Sequence, residues 1–417
     1  MATGEITAPG STGIEEQNQP GQTTGGRSIP VDPDLEFIRA LRRSGGESLK
    51  KCYQCGTCSA SCPLSPDQHP FPRKEMAWAL WGMKDQLMTD PDVWLCHHCN
   101  DCSTNCPRCG RPGDVLAAVR EQTVQHYAFP RFLARWVTRP VFIPVLLAIP
   151  ALLLGLALRF RDGIGNALGF APPAGDEIVY SFMPALPHWL INCFFGFFGF
   201  LALVAAVIGV VRFAGGLKES SVWGENAQPV KGIVASIGSV LLRILVHDRF
   251  TKCETDHSRS ISHFFVLFGF LSLSLVTIWI ITGPINPLIS SDFIYPFSFW
   301  SPWKLLANIG GLAVLTGCLL MIWERLYFGH LAGTSSYFDW LLVWSLFLVI
   351  VTGFATEVLH YLRMVPHRHI VYFIHLVFVF ALLIYLPFSK LSHLLYRTTA
   401  MVMAERFGRE AGGGDSV

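Results

Sequence analysis

CYQCGTCSASCP at residues 52–63 and CHHCNDCSTNCP at residues 96–107 share one pattern, C-x2-C-x2-C-x3-C-P. Nine of the chain's twelve cysteines lie between residues 52 and 109. This spacing ligates pairs of [4Fe–4S] clusters. Three closely spaced thiolates wrap three irons of one cubane, and the fourth, turned away by the proline, reaches the other. The expected sets are Cys52, Cys55, Cys58 and Cys106 for one cluster, and Cys96, Cys99, Cys102 and Cys62 for the second. Structural zinc needs only four cysteines per site and rarely uses successive C-x2-C steps with a trailing Cys-Pro. Disulfides need an oxidising compartment, and no secretory signal precedes the stretch. Cys109 stands outside the pattern and reads as a bystander thiol.

The chain has 417 residues, 51% hydrophobic and only 15% charged, against about a quarter charged in an ordinary soluble protein. Mean hydropathy is +0.40. The apolar excess falls within residues 141–400 as repeated long runs, whereas residues 1–140 are ordinary in polarity. A net charge of +2 points to no particular partner. Cysteine usage suits a reducing compartment in which thiols serve metals.

Residues 1–32 show no apolar periodicity and are expected to form a disordered tail. Residues 33–127 then make the cluster domain. DPDLEFIRALRRSG sets Leu35, Phe37, Ile38 and Leu41 at helical spacing ahead of Gly45 and Gly46. FPRKEMAWALWGMKDQL at 71–87 reads as one helix, with Met76, Leu80 and Met83 on a shared face. Residues 112–127 read as another, opening on Pro112. The expected fold class is all-α: a small two-cluster ferredoxin-type domain, a six-helix transmembrane bundle at 128–400, and a flexible tail at 401–417.

Six runs are long enough to cross about 30 Å of hydrocarbon: 141–158, 189–211, 262–283, 304–323, 338–359 and 370–388. Pro144 and Pro150 interrupt the first. Trp189, Trp300, Trp303, Tyr327 and Tyr385 stand near run ends, as an interfacial belt requires. Fifteen Lys and Arg residues flank one side of the runs and four the other. That asymmetry puts the cluster domain and both termini in the cytoplasm, in an inner-membrane protein. KGIVASIGSVLLRILVHDRF, at 231–250, is amphipathic and expected to lie on the membrane surface or on a partner.

The last run reads HLVFVFALLIYLPFSKLSH, from His375 to His393. On one continuous helix that spacing is about five turns and about 27 Å, so both imidazoles share a face, one near each side of the bilayer. Ionisable groups inside a span are costly and mostly functional. The pair suits two b-type haems stacked across the membrane. His263, opening the third run, is at the depth of His393; His360, closing the fifth, is at the depth of His375. His188, His367 and His369 are rivals of His360, and a five-coordinate outer haem is a further option. His257 reads as a surface residue; His69, His97, His98, His126, His247 and His330 read as surface or core histidines without metal.

These segments carry a resemblance. CYQCGTCSASCP, FPRK at 71–74, WLCHHCNDCSTNCP at 94–107 and PGDV at 112–115 resemble the C-type iron–sulfur subunit of heterodisulfide reductases. The remainder resembles the cytochrome b subunit of those reductases and the gamma subunit of respiratory nitrate reductase, which HLVFVFALLIYLPFSKLSH matches closely. His263 falls where that gamma subunit places a haem ligand. Its fourth ligand would fall on Leu273, a departure that leaves the outer haem's second ligand to another helix, hence His360. The two modules in one chain are similar to the third subunit of quinone-interacting membrane-bound oxidoreductase (Qmo) complexes, across nearly all of residues 33–400.

That resemblance implies electron exchange between the menaquinone pool and two soluble flavin- and iron–sulfur-bearing subunits, which serve adenylylsulfate reductase in sulfate respiration. It also implies a quinol contact for Lys304, which opens the fourth run on the non-cytoplasmic side; a snorkelling lysine at a helix end is the plainer reading. Asp292 is a further candidate proton acceptor. The nearest alternative is a membrane redox anchor of a heterodisulfide reductase or sulfite-reduction complex. Only Cys109, Cys193, Cys253 and Cys318 lie outside the motifs, scattered, which speaks against disulfide catalysis within this chain. A third reading is a non-haem anchor with redox-sensing clusters. The chain shows no nucleotide-binding glycine loop, hydrolytic constellation or nucleic-acid signature.

Overall fold

The computed structural model describes residues 32–67, 69–169, 186–224, 227–246, 257–283, 286, 297–328 and 333–409. His247, His330, Cys253, Asp292 and nearly all of the expected N-terminal tail lie outside them. Among the described residues the only regular structure is helical, so the all-α expectation holds.

The chain enters through α1 (Leu35–Arg43). Its N-cap Asp34 accepts from Phe37 N at 2.8 Å, and Phe37 and Leu41 are buried. Five short helices follow: α2 (Thr57–Ala60), α3 (Arg73–Leu80), α4 (Lys84–Met88), α5 (Asp92–Leu95) and α6 (Asp101–Thr104). They surround α7 (Pro112–Tyr127), a strut buried along much of its length.

Segment 71–87 is therefore two helices rather than the single one expected. Gly82 adopts φ +68°, its N–H donates to Ala79 O at 3.4 Å, and Met83 N donates to Trp78 O at 2.9 Å. This is the paired closure of a glycine-terminated helix. Gly82 O also accepts from Asp34 N at 3.1 Å, tying the turn to the start of α1. A stop written in backbone conformation overrides an apolar spacing that runs on across it.

Next come α8 (Arg131–Val137), α9 (Ile143–Arg159), which carries Pro150 inside a continuous helix, and α10 (Arg161–Leu168). Then follow α11 (His188–Lys218), α12 (Ile233–Val246), α13 (His257–Thr282), α14 (Pro302–Tyr327), α15 (Tyr337–Tyr361), α16 (Val365–Ile384) and α17 (His393–Arg406). Six of these helices, α9, α11, α13, α14, α15 and α16, are long and apolar enough to cross a membrane. Large side chains such as Phe197, Phe200 and Leu203 on α11 stand exposed, a surface suited to hydrocarbon rather than water. Helix α12 buries Ser236 and Val240 and leaves Ile237, Leu241 and Leu245 exposed.

The stretch from His375 to His393 is not one helix. Helix α16 ends at Ile384; 3-10 turns follow at Leu386–Phe388 and Lys390–Ser392, and α17 starts on His393 itself. Pro387 has no N–H to offer and its ring clashes with the preceding turn. His375 and His393 therefore lie on different helices, and no single helical register puts them on one face. Residues 401–406, expected in a flexible tail, continue α17, and Met401, Met403 and Ala404 are buried. Helix α17 packs on α5, α11 and α12, with Trp94 stacked on Tyr396 at 5.4 Å. The cysteine-bearing region and the long helices thus share one core.

Candidate metal centres and membrane cavities

Both cysteine loops bend in the same way. Gln54 (φ +59°) and His98 (φ +58°), each third in its motif, are left-handed, as are Gly56 (φ +86°) and Asn100 (φ +70°), which cap α2 and α6. Gln54 Nε2 donates to Cys52 Sγ at 3.2 Å, His98 N to Cys96 Sγ at 3.3 Å, and Gly110 N to Cys106 Sγ at 3.2 Å. Hydrogen bonds of this kind stabilise thiolate charge and tune cluster potentials.

Cys52, Cys55, Cys58 and Cys106 line one small cavity. Burial, then the neighbouring Cys52, Cys55 and Cys106, push the Cys58 thiol up to about 11. In the other group, burial followed by Cys96 and Cys99 pushes the Cys62 thiol up to about 12. Burial and then Cys96, Cys99 and Cys62 push Cys102 up further. The first expected set thus lines one cavity, and in the second Cys96 and Cys99 lie close enough to Cys62 and Cys102 to act on their thiols. Thiols so placed become thiolates only with compensating positive charge, which iron supplies; the residues fit cubane clusters. Exposure differs between sets: Cys55 is exposed, whereas Cys96 and Cys102 are buried. Cys109 is exposed, in a turn (Cys109 N to Cys106 O, 3.1 Å) that repeats the one at Ser65 (to Cys62 O, 3.1 Å).

The second loop is docked onto the long helices. Arg120 on α7 donates from Nε to Val93 O and from Nη2 to Cys96 O, both at 2.7 Å. Asp114 is hydrogen-bonded to His98 Nε2 at 2.8 Å and accepts from Thr334 Oγ1 at 2.7 Å. Burial would raise the Asp114 carboxyl, but these hydrogen bonds hold it below the usual carboxylate range. Arg259 on α13 donates to His98 O.

Next to this loop, a cavity of about 150 Å³ is lined by His263, His393, Phe270, Arg243 and Arg397, and also by His97. A second cavity, of about 400 Å³, shares Phe270 and is lined by His375, Leu273, Asn308, Gly353 and Glu357. His393 Nδ1 lies 2.8 Å from Lys390 O, and His375 Nδ1 lies 3.1 Å from Val349 O. Since a carbonyl only accepts, the proton is assigned to Nδ1 in each ring and Nε2 keeps its lone pair. That is the arrangement of a metal-ligating histidine. A Cβ at Gly353 would stand 3.2 Å from His375 Cε1, so glycine keeps the space before the ring clear.

His360 is not on the wall of the His375 cavity, nor do His188, His367 or His369 line either cavity. Lys304 Nζ pairs with Glu357 Oε2 at 2.9 Å, and Asn308 Nδ2 donates to Glu357 Oε1 at 3.3 Å. Glu357 is not evident in the sequence, because a lone carboxylate near a helix end carries no periodic signal. From the sequence His97 reads as a surface or core histidine, and only its adjacency to Cys96 hints that it lines a cavity beside the cluster loop.

Residues 48–109 match the family described as a 4Fe-4S dicluster domain, and residues 246–414 match citrate utilization protein B. The N-terminal region is 38% identical over 92 residues to the C-type subunit of the H(2):CoB-CoM heterodisulfide,ferredoxin reductase of Methanothermobacter marburgensis. It is also 38% identical over 94 residues to a heterodisulfide reductase C-subunit-like protein of Archaeoglobus profundus. Each match covers 22% of this chain, which spans about half the length of these relatives, 50% and 48%. Citrate utilization protein B of Escherichia coli is 27% identical over 407 residues, covering 92% of this chain and 96% of that protein. No solved structure matches the chain. An iron–sulfur electron-transfer domain related to the C-type subunit of heterodisulfide reductases is thus joined to a region similar to citrate utilization protein B.

Proposed function

We propose that the chain is the membrane electron-transfer subunit of a quinone-linked oxidoreductase. It passes electrons between menaquinol and soluble flavin and iron–sulfur subunits through two b haems and two [4Fe–4S] clusters. The observation that carries this reading is His97. It follows Cys96 of the second cysteine set and lines the cavity of His263 and His393, so a redox group held there adjoins the cluster loop.

A b-type haem, when bound, relays single electrons. The residues that would hold it are His263 and His393 in the smaller cavity and His375 in the larger; Arg243 and Arg397 would bring positive charge suited to propionates. His360, expected as the outer haem's second ligand, stands off the wall, which favours His375 alone from this chain. Quinol gives up two protons with its two electrons. Lys304 is the hydrogen-bonding group for quinol, and its partner Glu357, on the wall of the His375 cavity, is the proton acceptor. The excess of Lys and Arg on one side supports a cytoplasmic position for the cluster domain. The Qmo resemblance supports two flavin and iron–sulfur subunits serving adenylylsulfate reductase as the partners. The end-to-end match to citrate utilization protein B favours a second reading, in which the same relay serves an enzyme of citrate utilization.

An anaerobic optical titration of the purified protein in detergent tests the proposal, with a reduced menaquinone analogue first and dithionite second. The α-band of two b haems should appear with the quinol. His375→Ala and His393→Ala should each lose one haem, and His360→Ala should keep both. Lys304→Ala should slow reduction by quinol about tenfold, as loss of a hydrogen bond to a charged group does, with haem content unchanged. Unaltered quinol kinetics in that variant would remove Lys304 from the site. No α-band even with dithionite would leave the long helices a non-haem anchor.

A further inference from the structure

One cysteine set reaches the surface through Cys55, and the side chains around it are cationic. Cys55 is exposed, and Tyr53 beside it is 69% exposed. The Arg108 guanidinium lies 4.2 Å from the centroid of the Tyr53 ring, and its Nη2 donates to the Tyr53 hydroxyl at 2.9 Å. Arg73 lies across the loop, its Cδ 3.7 Å from where a Cβ on Gly56 would stand. Lys50 and Lys51 directly precede Cys52, and all four cations are exposed. The exposed carboxylates of the same segments are Glu47 and Asp67, which leaves the surface net positive. Tyrosine and arginine are the side chains that dominate protein interfaces. This pair is already held in one geometry, so binding costs it little further entropy. The other set has buried thiols and adjoins the His97 cavity, so the exposed set is the end of the relay open to solvent.

We propose that Tyr53, Arg108, Arg73 and Lys51 form the docking surface for the acidic face of a soluble one-electron carrier protein, which exchanges electrons with the cluster of Cys52, Cys55, Cys58 and Cys106. The inference rests on the reading of that set as a [4Fe–4S] site and not on the haem or quinol assignments. In the step, the reduced cluster loses one electron and the oxidised carrier gains it; no bond or proton moves.

The test uses the full-length, cluster-loaded protein in detergent, reduced with dithionite and freed of excess reductant. It is mixed by stopped flow with plastocyanin, an acidic copper protein, and separately with mitochondrial cytochrome c, a basic haem protein. The plastocyanin rate should fall as salt rises and should drop about tenfold or more in Arg73→Glu/Arg108→Glu, the range of electrostatic steering. The cytochrome c rate should move the opposite way. Tyr53→Ala should slow plastocyanin without altering its salt dependence. Cluster EPR signals and midpoint potentials should match the wild type in every variant. Should the charge-reversed protein lose its clusters, Arg73→Gln/Arg108→Gln replaces it, with a smaller drop expected. A plastocyanin rate that rises with salt, or that survives charge reversal with clusters intact, overturns the docking surface. Absence of any cluster EPR signal in the reduced wild type overturns the cluster reading beneath it, a distinct failure.

Discussion

Glu121 shows how a single buried group sets a pH response. It lies on α7 with little exposure, and Ser44 Oγ donates to its Oε1 at 2.9 Å. Burial pushes its carboxyl up to about 7, against that hydrogen bond and the charge of Lys390. The folded chain therefore keeps a proton that the unfolded chain releases at the ordinary carboxylate value. Its contribution to stability is lost as pH rises from about 4.5 to about 7. Glu121→Gln should flatten that slope and stabilise the protein above pH ~7 by up to roughly 3 kcal/mol, read as Tm against pH in detergent. A Tm curve that overlays the wild type at every pH would refute it. The same scale separates what a sequence displays from what it hides. Ligand cysteines declare themselves because a cubane demands fixed short spacings, whereas Glu357 gains meaning only from Lys304, a residue on another helix.

Among the elements, the pair α13 and α14 depends on glycines. A Cβ at Gly317 would meet Val266 Cγ2 at 2.6 Å and Ser262 O at 2.8 Å, and one at Gly269 would meet Gly310 O at 2.6 Å. Helices in apolar surroundings gain their association from such close approach. Gly317→Leu should push α13 away and with it His263, one residue from Ser262, destabilising the protein by about 1–3 kcal/mol as overpacking does. A lower Tm and loss of the haem proposed at His263, with cluster EPR retained, is the expected result; normal haem content would show that the interface can give. The length and position of the apolar helices were readable from the sequence, since crossing hydrocarbon requires unbroken apolar runs. Their breaks were less so. Gly82 and Pro387 each stop a helix whose apolar pattern continues, and pattern is the weaker signal where the backbone cannot follow it.

Across the whole molecule, the C-terminal segment clasps the cluster domain. Glu75, Asp90 and Asp92 are buried with their carboxylate oxygens within 4.8 Å of one another. Lys74 Nζ stands 3.2, 3.1 and 3.0 Å from the three. Arg409, 317 residues along the chain from Asp92, donates to Asp92 Oδ1 at 2.8 Å and to His69 O at 2.8 Å. Cations seated among the carboxylates make this an ion-pair hub rather than a metal site. Arg409→Ala leaves one buried carboxylate undercompensated, a loss of about 3–5 kcal/mol for a fully buried pair. Faster thermal loss of cluster absorbance should follow, with haem spectra initially unchanged; cluster loss at the wild-type rate would mean that Lys74 alone holds the hub.

The sequence by itself determined the two cluster motifs, the all-α class and the six apolar helices, because each follows from a constraint acting over a few neighbouring residues. Only the tertiary structure decided which histidines meet. His263 and His393 line one cavity because α17 starts anew after the break at Pro387 and packs on α5, α11 and α12, not because of any helical register. His97 joins them because Arg259 of α13 holds its loop against a long helix, while Arg120 and Asp114 brace the same loop on α7. Such meetings depend on contacts between residues distant in the chain, and no local spacing encodes them.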